Sequence, residues 1–321
     1  MESKIQQEYA VSVYMTTYYH EKYIVQALES ILSQEVDFKY EIVISDDSSK
    51  DGTPSILKRY SEKYDFIRVN YNKENIGLTA NMFLAKQMCK GRYIVPLSGD
   101  DYWIDNRKLQ RQYDFLESHP EYVGVANRVA ARTGESSIND FVEPPLRECN
   151  KAVKYQDYLS GKNYPLNGIM LRNMIQDNIE LFSIMPKVSK YIDDITDTFL
   201  ILLVGNVYVL DNVTVAYRRR ISVKGEHNFN SMNQGIALFE KKISLMNELD
   251  TAFEGKYDFY IRYRGIVAKA IAKYFRPFRT KNFRNVYRTI PIKYRKRFLA
   301  ISSFFNIPAK AVETIRLRMS R

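Results

Sequence analysis

The sequence of 321 residues contains only two cysteines, Cys89 and Cys149. This number excludes a disulfide-bonded scaffold and any Cys-x-x-Cys metal or redox site. Long hydrophobic runs are also missing, because the longest, residues 199–210, is interrupted by Gly205 and Asn206. It falls short of the roughly 18 residues that a membrane-spanning helix needs. The first ten residues lack the apolar segment of a secretory signal peptide, so we expect a protein of the reducing cytoplasm.

Glycine-rich phosphate-binding motifs are absent too. The 13 glycines form neither a GxxxxGK[ST] motif nor a GxGxxG motif after a predicted strand. Hydrophobic residues make up 45% of the chain and charged residues 26%, which excludes a disordered tail protein or a low-complexity fibre. Aromatic side chains are abundant, with 25 Tyr and 17 Phe that can fill a large core without cross-links.

Positive charge is concentrated at one end of the sequence. The net charge is +11, but residues 256–321 alone carry 18 Lys and Arg against two acids, Asp258 and Glu313, which gives a net charge of +16. Residues 1–255 therefore carry a net charge of −5. Such an asymmetry indicates an anionic partner for the basic segment, either a membrane surface or a nucleic acid.

Apolar runs alternate with amphipathic helical patterns through the first half of the chain. The predicted strands are residues 11–15, 41–45, 66–70, 92–97 and 122–130. The predicted helices are residues 21–33, a segment that begins at Thr53 and Pro54, and residues 79–90 and 108–118. This alternation predicts an α/β domain with a mostly parallel sheet flanked by helices.

The pattern weakens between residues 132 and 163, where Gly, Ser, Asn and Pro cluster. We predict a long surface segment or a small insertion there. Regular structure is expected to return with a run at 167–172, a helix at 194–204 and a strand at 207–217. Residues 230–275 show a helical pattern.

Acidic pairs follow two of the predicted strands and begin one later helix. They are Asp46-Asp47, Asp100-Asp101 and Asp193-Asp194. Ligands of open parallel sheets bind at the carboxyl ends of the strands, so we expect these pairs to converge on one edge. Converging carboxylates repel each other unless a cation lies between them, and Mg²⁺ or Mn²⁺ there would share its ligands with substrate phosphates. Each pair alone also fits turn or capping chemistry, so the prediction of a nucleotide-diphosphate site depends on their joint occurrence.

Four segments of the first half are similar to one known family. They are VSVYMTTYYHEKYIVQALESILSQ, YEIVISDDSSKDGT, NKENIGLTAN and GRYIVPLSGDDYWIDNRKLQRQYDFLESHPE. Over residues 10–220 the sequence resembles the inverting family 2 glycosyltransferases, which have the GT-A fold. The block that contains GDDYW looks like the bacterial branch that builds surface polysaccharides. The resemblance implies a Rossmann-like α/β domain, in agreement with the alternating pattern.

The resemblance implies a role for each matching residue of the nucleotide-sugar site. Tyr18 would stack on the base, with Thr16 beside it. Asp47 would accept the N–H of a uracil-like ring, and Asp46 is the weaker candidate for that contact. The residues implied to line the diphosphate or the ribose are Asn75, Gly77 and Asn81.

The remaining acidic residues are implied to bind metal and to act as the base. Asp100 and Asp101 match the aspartate motif that binds metal and ribose, and which of the two ligates the metal stays open. Asp193 and Asp194 lie where the family carries its base, and we favour Asp194, which stands 11 positions before Gly205. The implied reaction is a single inverting displacement that uses Mn²⁺ or Mg²⁺.

The sequence departs from the family at the end of its last strand. The family often has YRxH there, with a His that can ligate the metal, whereas this chain has Arg220 at that position. His227 is one possible substitute. Alternatively, Arg218 or Arg220 contacts the diphosphate directly, because a guanidinium suits phosphate.

We therefore predict two parts of the chain. Residues 1–225 would form a GT-A nucleotide-sugar transferase domain, and residues 226–321 a basic helical C-terminal extension. The enzyme would move a sugar from a UDP-sugar to a hydroxyl of a glycan or lipid-linked acceptor in cell-surface polysaccharide synthesis. The alternative is a non-catalytic nucleotide-sugar or anion-binding module that uses the basic segment.

The basic segment also predicts where the protein is located in the cell. Residues 257–298 interleave Arg and Lys with Tyr and Phe, which favours contact with anionic lipids of the inner leaflet. A solvated helical domain with a basic face is the alternative, and we favour both over a nucleic-acid partner. The predicted location is the cytoplasm, peripheral at the inner face of the cell membrane.

Overall fold

The computed structural model describes residues 9–133, 141–159, 164–188, 194–219, 235–258, 288–292 and 294–295. The chain divides into two compact units. The first comprises Met1–Tyr158 and Lys162–His227, and the second comprises Leu159–Gly161 and Asn228–Arg321. The boundary that the sequence predicts between residues 225 and 226 lies outside the described residues and stays a prediction.

The first unit holds a ten-stranded sheet and its flanking helices, as far as its residues are described. The strands are β1 (Val11–Thr17), β2 (Tyr40–Asp46), β3 (Ile67–Tyr71), β4 (Tyr93–Ser98), β5 (Tyr102–Trp103), β6 (Tyr122–Thr133), β7 (Phe141–Glu143), β8 (Lys151–Val153), β9 (Ile169–Arg172) and β10 (Asn206–Arg219). The helices are α1 (Ile24–Leu32), α2 (Thr53–Lys63), α3 (Leu78–Met88), α4 (Lys108–Ser118), α5 (Tyr155–Leu159), α6 (Ile179–Phe182), α7 (Met185–Val188) and α8 (Asp194–Val204). Short 3₁₀ helices lie at Leu146–Glu148 and Leu166–Gly168, and the second unit contains α9 (Gly235–Ala252).

The sheet has the strand order β3-β2-β1-β4-β9-β6-β10-β5, with β7 paired to β6 and β8 paired to β10. β3, β2, β1 and β4 are parallel neighbours. β9 runs antiparallel to both β4 and β6, and β6 is parallel to β10. The six main strands therefore point in one direction, with β9 reversed between them, and their carboxyl ends share one edge.

Helices cover both faces of this sheet. On one face, Val13 and Met15 of β1 belong to a buried cluster that includes Leu28 of α1 and Leu109 of α4. On the other face, Tyr14 of β1 lies under α3. Because β1 is covered on both sides, all of Val11–Met15 is buried, as an apolar run in a parallel sheet should be.

The predicted α/β fold with its mostly parallel sheet and flanking helices is confirmed. The helices predicted at 108–118 and 194–204 have those bounds in the structure. Of the two alternatives predicted between residues 132 and 163, a long surface segment without regular structure is wrong, because β7 and β8 lie there and pair with the sheet, whereas a small insertion is compatible with these short strands. Each of those strands has three residues, which is too short to show a two-residue periodicity.

Two predictions about the C-terminal part are tested only in part. The helical pattern predicted for 230–275 is present as α9, but the helix ends at Ala252, because Glu254 and Gly255 adopt positive φ angles of 52° and 71°. Most of residues 256–321 lies outside the described residues. In the part of the chain that the structure describes, no helix combines the length and the hydropathy needed to cross a membrane.

A buried carboxylate ties the amino ends of the strands together. Glu41, the second residue of β2, is 1% exposed. Its Oε1 accepts hydrogen bonds from the Ser12 hydroxyl at 2.6 Å and the Lys90 amide at 2.7 Å, and its Oε2 accepts from Arg68 at 2.8 and 2.9 Å. These partners come from β1, from the segment after α3 and from β3, so one side chain fixes the edge opposite the carboxyl ends.

A second buried charge lies at the start of α4. Lys108 is fully buried, and its Nζ donates to Gln112 Oε1 at 2.6 Å and lies 4.6 Å from the centre of the Trp103 ring. Burial lowers the pKa of Lys108 to about 7, with Asp105 acting in the opposite direction. Gln112 in turn donates to the carbonyls of Val125 and Gly168, which anchors α4 on β6 and on the turn before β9.

We predict that Lys108 makes the stability of the protein rise with pH above neutrality. Between the folded pKa near 7 and the ordinary lysine value of about 10.4, the unfolded chain binds a proton that the folded chain does not. The free energy of unfolding should then increase by up to about 1.4 kcal/mol per pH unit in that window. In Lys108→Met this increase should be lost, as judged from urea midpoints at pH 7, 8 and 9 followed by the fluorescence of Trp103, the chain's single tryptophan.

The exposed Lys58 supplies the matched control. Lys58→Met should keep the pH dependence of the natural chain. Equal slopes for the natural chain and Lys108→Met would contradict the assignment of a depressed pKa to Lys108.

Candidate active site

The ends of β1, β2 and β4 lie side by side, which places their polar residues together. Thr16 of β1 is in register with Ser45 of β2 on one side and Ser98 of β4 on the other. Thr17 is in register with Asp46. The predicted convergence of the first two acidic pairs on one edge of the sheet therefore follows from the strand register.

Asp47 holds the loop that leads into α3. Its Oδ1 accepts from the Ile76 amide at 2.8 Å and from Asn72 Nδ2 at 3.1 Å, and its Oδ2 accepts from the Gly77 amide at 2.9 Å. Asn75 Nδ2 lies 3.4 Å from the Asp47 carbonyl oxygen. Gly77 has a φ of 91°, a conformation that favours glycine, and α3 begins directly after it. Three of the four acceptor positions of the Asp47 carboxylate are thus used to shape this turn.

Asn81 is buried inside the same network. Its Oδ1 accepts from the Ser45 hydroxyl at 2.6 Å and from Asn72 Nδ2 at 2.9 Å, and its Nδ2 donates to the Ser45 carbonyl at 2.9 Å. It is 1% exposed. The structure therefore places Asn81 behind the loop that carries Asn75 and Gly77, where it fixes α3 against β2.

Asp46 and the residues after β1 form a second, strained turn. Asp46 accepts from the Ser49 amide at 2.9 Å and from the Ser49 hydroxyl at 2.6 Å, and burial raises its pKa. Tyr19 and Ser48 both have positive φ angles, 57° and 63°, which non-glycine residues seldom adopt outside functional turns. The Ser49 hydroxyl also accepts from the Tyr19 amide, and the Tyr18 ring packs edge-on against Tyr19 at 4.6 Å. The partly exposed Tyr18 is therefore held by two interlocked turns.

In the second acidic pair, one carboxylate is buried and the other is partly exposed to solvent. Asp101 is 1% exposed; its Oδ1 accepts from the Arg218 amide at 2.9 Å and its Oδ2 accepts from Asn167 Nδ2 at 2.7 Å. The Asp100 side chain is 21% exposed and accepts from the Ser98 hydroxyl at 2.6 Å. The two neighbouring acids thus have different environments, one fixed within the protein and one turned partly to solvent.

Arg218 links this pair to α1. Its Nε donates to the Asp100 carbonyl at 2.8 Å, and its Nη2 donates to Gln26. The guanidinium lies 5.1 Å from the centre of the Tyr23 ring and 4.6 Å from that of Tyr102, within the range of cation–π attraction. Arg218 therefore ties the backbone of Asp100 to α1 through its guanidinium, while its own amide holds the Asp101 carboxylate.

The third acidic pair is described only in part. Asp194 is exposed and is the first residue of α8. Asp193, Arg220 and His227, which the sequence marked as further candidates, lie outside the described residues.

The donor set at the end of β4 fits a divalent cation that is shared with a substrate. Among the described residues, no three His, Cys, Asp or Glu side chains are grouped closely enough to hold a metal ion by themselves. Mg²⁺ and Mn²⁺ sites of phosphate-transferring proteins commonly use one or two carboxylates and complete the shell with phosphate and water. Asp100 and Asp101 supply such a pair, and the Asn167 side chain and the Arg218 amide hold the Asp101 carboxylate in a fixed orientation.

Three residues near the acidic pairs were not found from the sequence. Asn167 reaches Asp101 from the turn before β9, and its own surroundings in the sequence give no signal of this. His20 Nε2 lies 3.8 Å from Asp100 Oδ1, and its position two residues after Tyr18 could have indicated it. Arg132 donates to the Tyr102 hydroxyl and lies over the same ring as Arg218, which only the pairing of β6 with β10 shows.

Comparison with known families identifies the family to which the chain belongs. The family model described as Glycosyl transferase family 2 matches residues 12–176, just over half of the chain. The chain belongs to glycosyl transferase family 2. Within this family 2 chain, the matched residues include both strand-end acidic pairs and the Asn167 that contacts Asp101.

Curated relatives of this family 2 chain cover the same part. The uncharacterized Mycobacterium tuberculosis protein Rv1520 is 31% identical over 177 residues, which is 55% of this chain and 47% of the relative. TuaG of Bacillus subtilis, a candidate glycosyltransferase of teichuronic acid biosynthesis, is 36% identical over 150 residues, which is 46% of this chain and 56% of the relative. The chain spans about half the length of the curated relatives it matches.

A solved structure shows the same fold. The crystal structure of residues 1–349 of S. aureus TarS superposes with a TM-score of 0.56 at 18% identity, covering 90% of this chain and 78% of that one. With the family match, this likeness confirms the GT-A fold that the sequence resemblance implied.

We predict that Asn167 sets the metal affinity of this edge by orienting Asp101. Asn167→Ala removes a 2.7 Å hydrogen bond to a carboxylate that is 1% exposed, so Asp101 should lose its fixed orientation. We expect Mn²⁺ to bind about 10-fold more weakly, as is usual when the partner of a ligand is removed. Quenching of Trp103 fluorescence by Mn²⁺ in the presence of UDP measures this without any turnover.

Asn178→Ala is the matched control, because Asn178 Nδ2 also donates one 2.9 Å hydrogen bond, to the Met174 carbonyl, away from the acidic pairs. It should leave Mn²⁺ binding unchanged. If Asn167→Ala binds Mn²⁺ as tightly as the natural chain, Asn167 does not support a metal ligand.

Proposed function

We propose that this protein is a metal-dependent inverting glycosyltransferase that transfers a sugar from a UDP-sugar to a hydroxyl of a cell-surface glycan or its lipid-linked precursor. The observation that carries the proposal is the acidic pair Asp100-Asp101 at the end of β4, fixed by Arg218 and adjacent to the ends of β1 and β2. Support comes from TarS, whose residues 1–349 have been crystallised with UDP and with UDP-GlcNAc.

In this proposal the ends of β1 and β2 bind the nucleoside. Tyr18 stacks on the base, with Thr16 beside it. The acceptor position that remains on Asp47 Oδ2 receives the N–H of the uracil ring, and Asp46 is the second candidate for this contact. Asn75 and Gly77 line the ribose or diphosphate side, on a turn that Asp47 holds rigid and that Asn81 supports from behind.

The end of β4 binds the diphosphate. Asp101, with Asp100, would hold Mn²⁺ or Mg²⁺, and the ion when bound stabilises the negative charge that develops on the departing diphosphate. Arg218 adds a guanidinium that is fixed by the Asp100 carbonyl and by the Tyr102 ring. Its planar fork suits phosphate, and Arg220 is a further candidate for the same role.

The transfer itself is a single displacement. Asp194 takes the proton of the acceptor hydroxyl as the acceptor oxygen bonds to the anomeric carbon. The bond from that carbon to the diphosphate oxygen breaks on the opposite face, so the configuration inverts and UDP leaves. Asp194 is suited to this role because it is exposed at the first position of α8, where an acceptor can reach it, and Asp193 is the alternative base.

Two substitutions separate donor binding from chemistry. Asp101→Ala should abolish metal-dependent binding of UDP. Asp194→Asn should keep this binding but lower the rate at which UDP is released from the UDP-sugar about 10²- to 10⁴-fold, which is the usual contribution of a general base. UDP release from a panel of UDP-sugars with Mn²⁺ or Mg²⁺ measures the rate, and calorimetry measures binding.

Asp211→Asn, which changes an exposed carboxylate of β10, should leave both quantities unchanged. If the natural chain binds no nucleotide with either metal, the transferase proposal fails. If it binds UDP-sugars but neither transfers nor hydrolyses them, the protein is a nucleotide-sugar-binding module.

We further propose that the basic segment 256–321 holds the enzyme at an anionic membrane surface, where lipid-linked acceptors lie. Its net charge of +16 and its interleaved aromatic residues support this. The mildly acidic remainder of the chain would not be attracted to such a surface, since its net charge is −5.

Charge substitution in the full chain tests the membrane proposal. The test variant changes Arg276, Arg279, Lys281 and Arg284 to Gln. The matched control changes four exposed lysines of the first unit, Lys50, Lys58, Lys73 and Lys90, to Gln. Sedimentation with vesicles of phosphatidylcholine and 30% phosphatidylglycerol should fall at least 10-fold for the test variant and little for the control, because about 1 kcal/mol is lost per basic residue at the surface. Equal sedimentation of the two variants contradicts the proposal.

A further inference from the structure

A buried ion pair joins two helices that lie far apart in the sequence. Lys86 Nζ is 2.6 Å from both Asp197 Oδ1 and Asp197 Oδ2, and the two residues are 111 positions apart. Their side chains are 0% and 1% exposed. Lys86 also lies 5.6 Å from the centre of the Tyr14 ring of β1. No sequence pattern indicates this pair.

Stability does not account for such a pair. Removing two charges from water costs free energy that their attraction often only offsets, and a well-packed apolar pair of similar volume is commonly as stable or more so. Retained buried ion pairs are best understood where they fix one arrangement among several. Lys86 and Asp197 are therefore expected to fix one arrangement of the two helices that carry them.

The two helices carry different parts of the site. Lys86 lies in the last turn of α3, the helix that starts at the turn held by Asp47 and that Asn81 ties to β2. Asp197 lies in the first turn of α8, three residues after Asp194. The ion pair therefore connects the helix that closes the nucleotide end of the sheet to the helix that presents the proposed base.

Two hydroxyls that flank Asp197 in α8 do not anchor the helix by hydrogen bonds to the described part of the chain. The hydroxyls of Thr196 and Thr198, on either side of Asp197, are buried and have no hydrogen-bond partner among the described residues. A shift of α8 that separated Asp197 from Lys86 would leave both charges buried and unpaired, which is strongly unfavourable, so the 2.6 Å contacts oppose it. Asp197 thus ties this turn to α3 through a contact that neither threonine provides.

We propose that Lys86 and Asp197 are positioning residues that set the place of Asp194 relative to the bound donor. This inference rests on the proposed role of Asp194 as the base. The ion pair does not touch the substrate; it acts through α8. Its loss should leave the donor site intact and reduce the fraction of time in which Asp194 is within hydrogen-bond reach of the acceptor hydroxyl.

The test replaces both partners together, since a single substitution would leave the other charge buried and unpaired. Lys86→Met with Asp197→Leu should fold with a urea midpoint equal to or above that of the natural chain and bind UDP with unchanged affinity. Its kcat for sugar release should fall about 10- to 100-fold, as expected for a misplaced catalytic group, with little change in KM for the donor. Adding Asp194→Asn to this double variant should cost less than it costs in the natural chain, because the two changes act on the same step.

The ion pair of Glu41 with Arg68, at the opposite edge of the sheet, provides the matched control. Glu41→Leu with Arg68→Met should change the urea midpoint but not kcat. If the Lys86 and Asp197 double variant keeps the natural kcat while Asp194→Asn inactivates the enzyme, the positioning inference is wrong and the proposed function stands. If Asp194→Asn is itself fully active, the base assignment fails, and the inference that rests on it fails too.

Discussion

A carboxylate buried at the end of a strand must receive hydrogen bonds from the chain around it, and the organisation of this site depends on that requirement. Asp47 satisfies this requirement by accepting hydrogen bonds from the amides of Ile76 and Gly77, which fixes the loop before α3. Asp101 meets it with the Arg218 amide and the side chain of Asn167. In each case an acid that is proposed to contact a ligand also holds a segment from elsewhere in the chain. The hydrogen bonds that orient the acid and those that position the segment are therefore the same.

The acidic side chains differ in how far they are exposed to solvent, and their roles differ with it. Glu41 at the amino edge of the sheet is 1% exposed, and its oxygens accept hydrogen bonds from Ser12, Lys90 and Arg68. Its role is therefore structural. Asp100 keeps a side-chain exposure of 21%, and Asp194 is exposed. The proposed base, Asp194, is thus the exposed acid, whereas the buried Asp47 and Asp101 both orient the segments around them and are proposed to contact the donor and the metal.

The sequence was most informative where function is local along the chain. Strands such as β2 and β4 are recognisable as apolar runs, and Asp46, Asp47, Asp100 and Asp101 follow them directly, so the position of these acids could be predicted. Asn167 and Asp101 are 66 residues apart, and Lys86 and Asp197 are 111 apart, so those contacts exist only once the sheet has formed. The three-residue strands β7 and β8 were missed because their pairing partners, rather than their own residues, determine them.

The reversed strand β9 has a consequence for how the site is assembled. A strand that runs against its neighbours begins at the edge where they end, so the connection that enters β9 borders the carboxyl edge of β4. Gly168 at this entry has no room for a side chain, since a Cβ there would lie 2.4 Å from the Asn127 carbonyl, and the turn is therefore fixed. Asn167, the residue before Gly168, is placed at that edge by the same turn and donates to Asp101 from there. A strand whose own carboxyl end lies at the opposite edge can in this way still contribute a residue to the site.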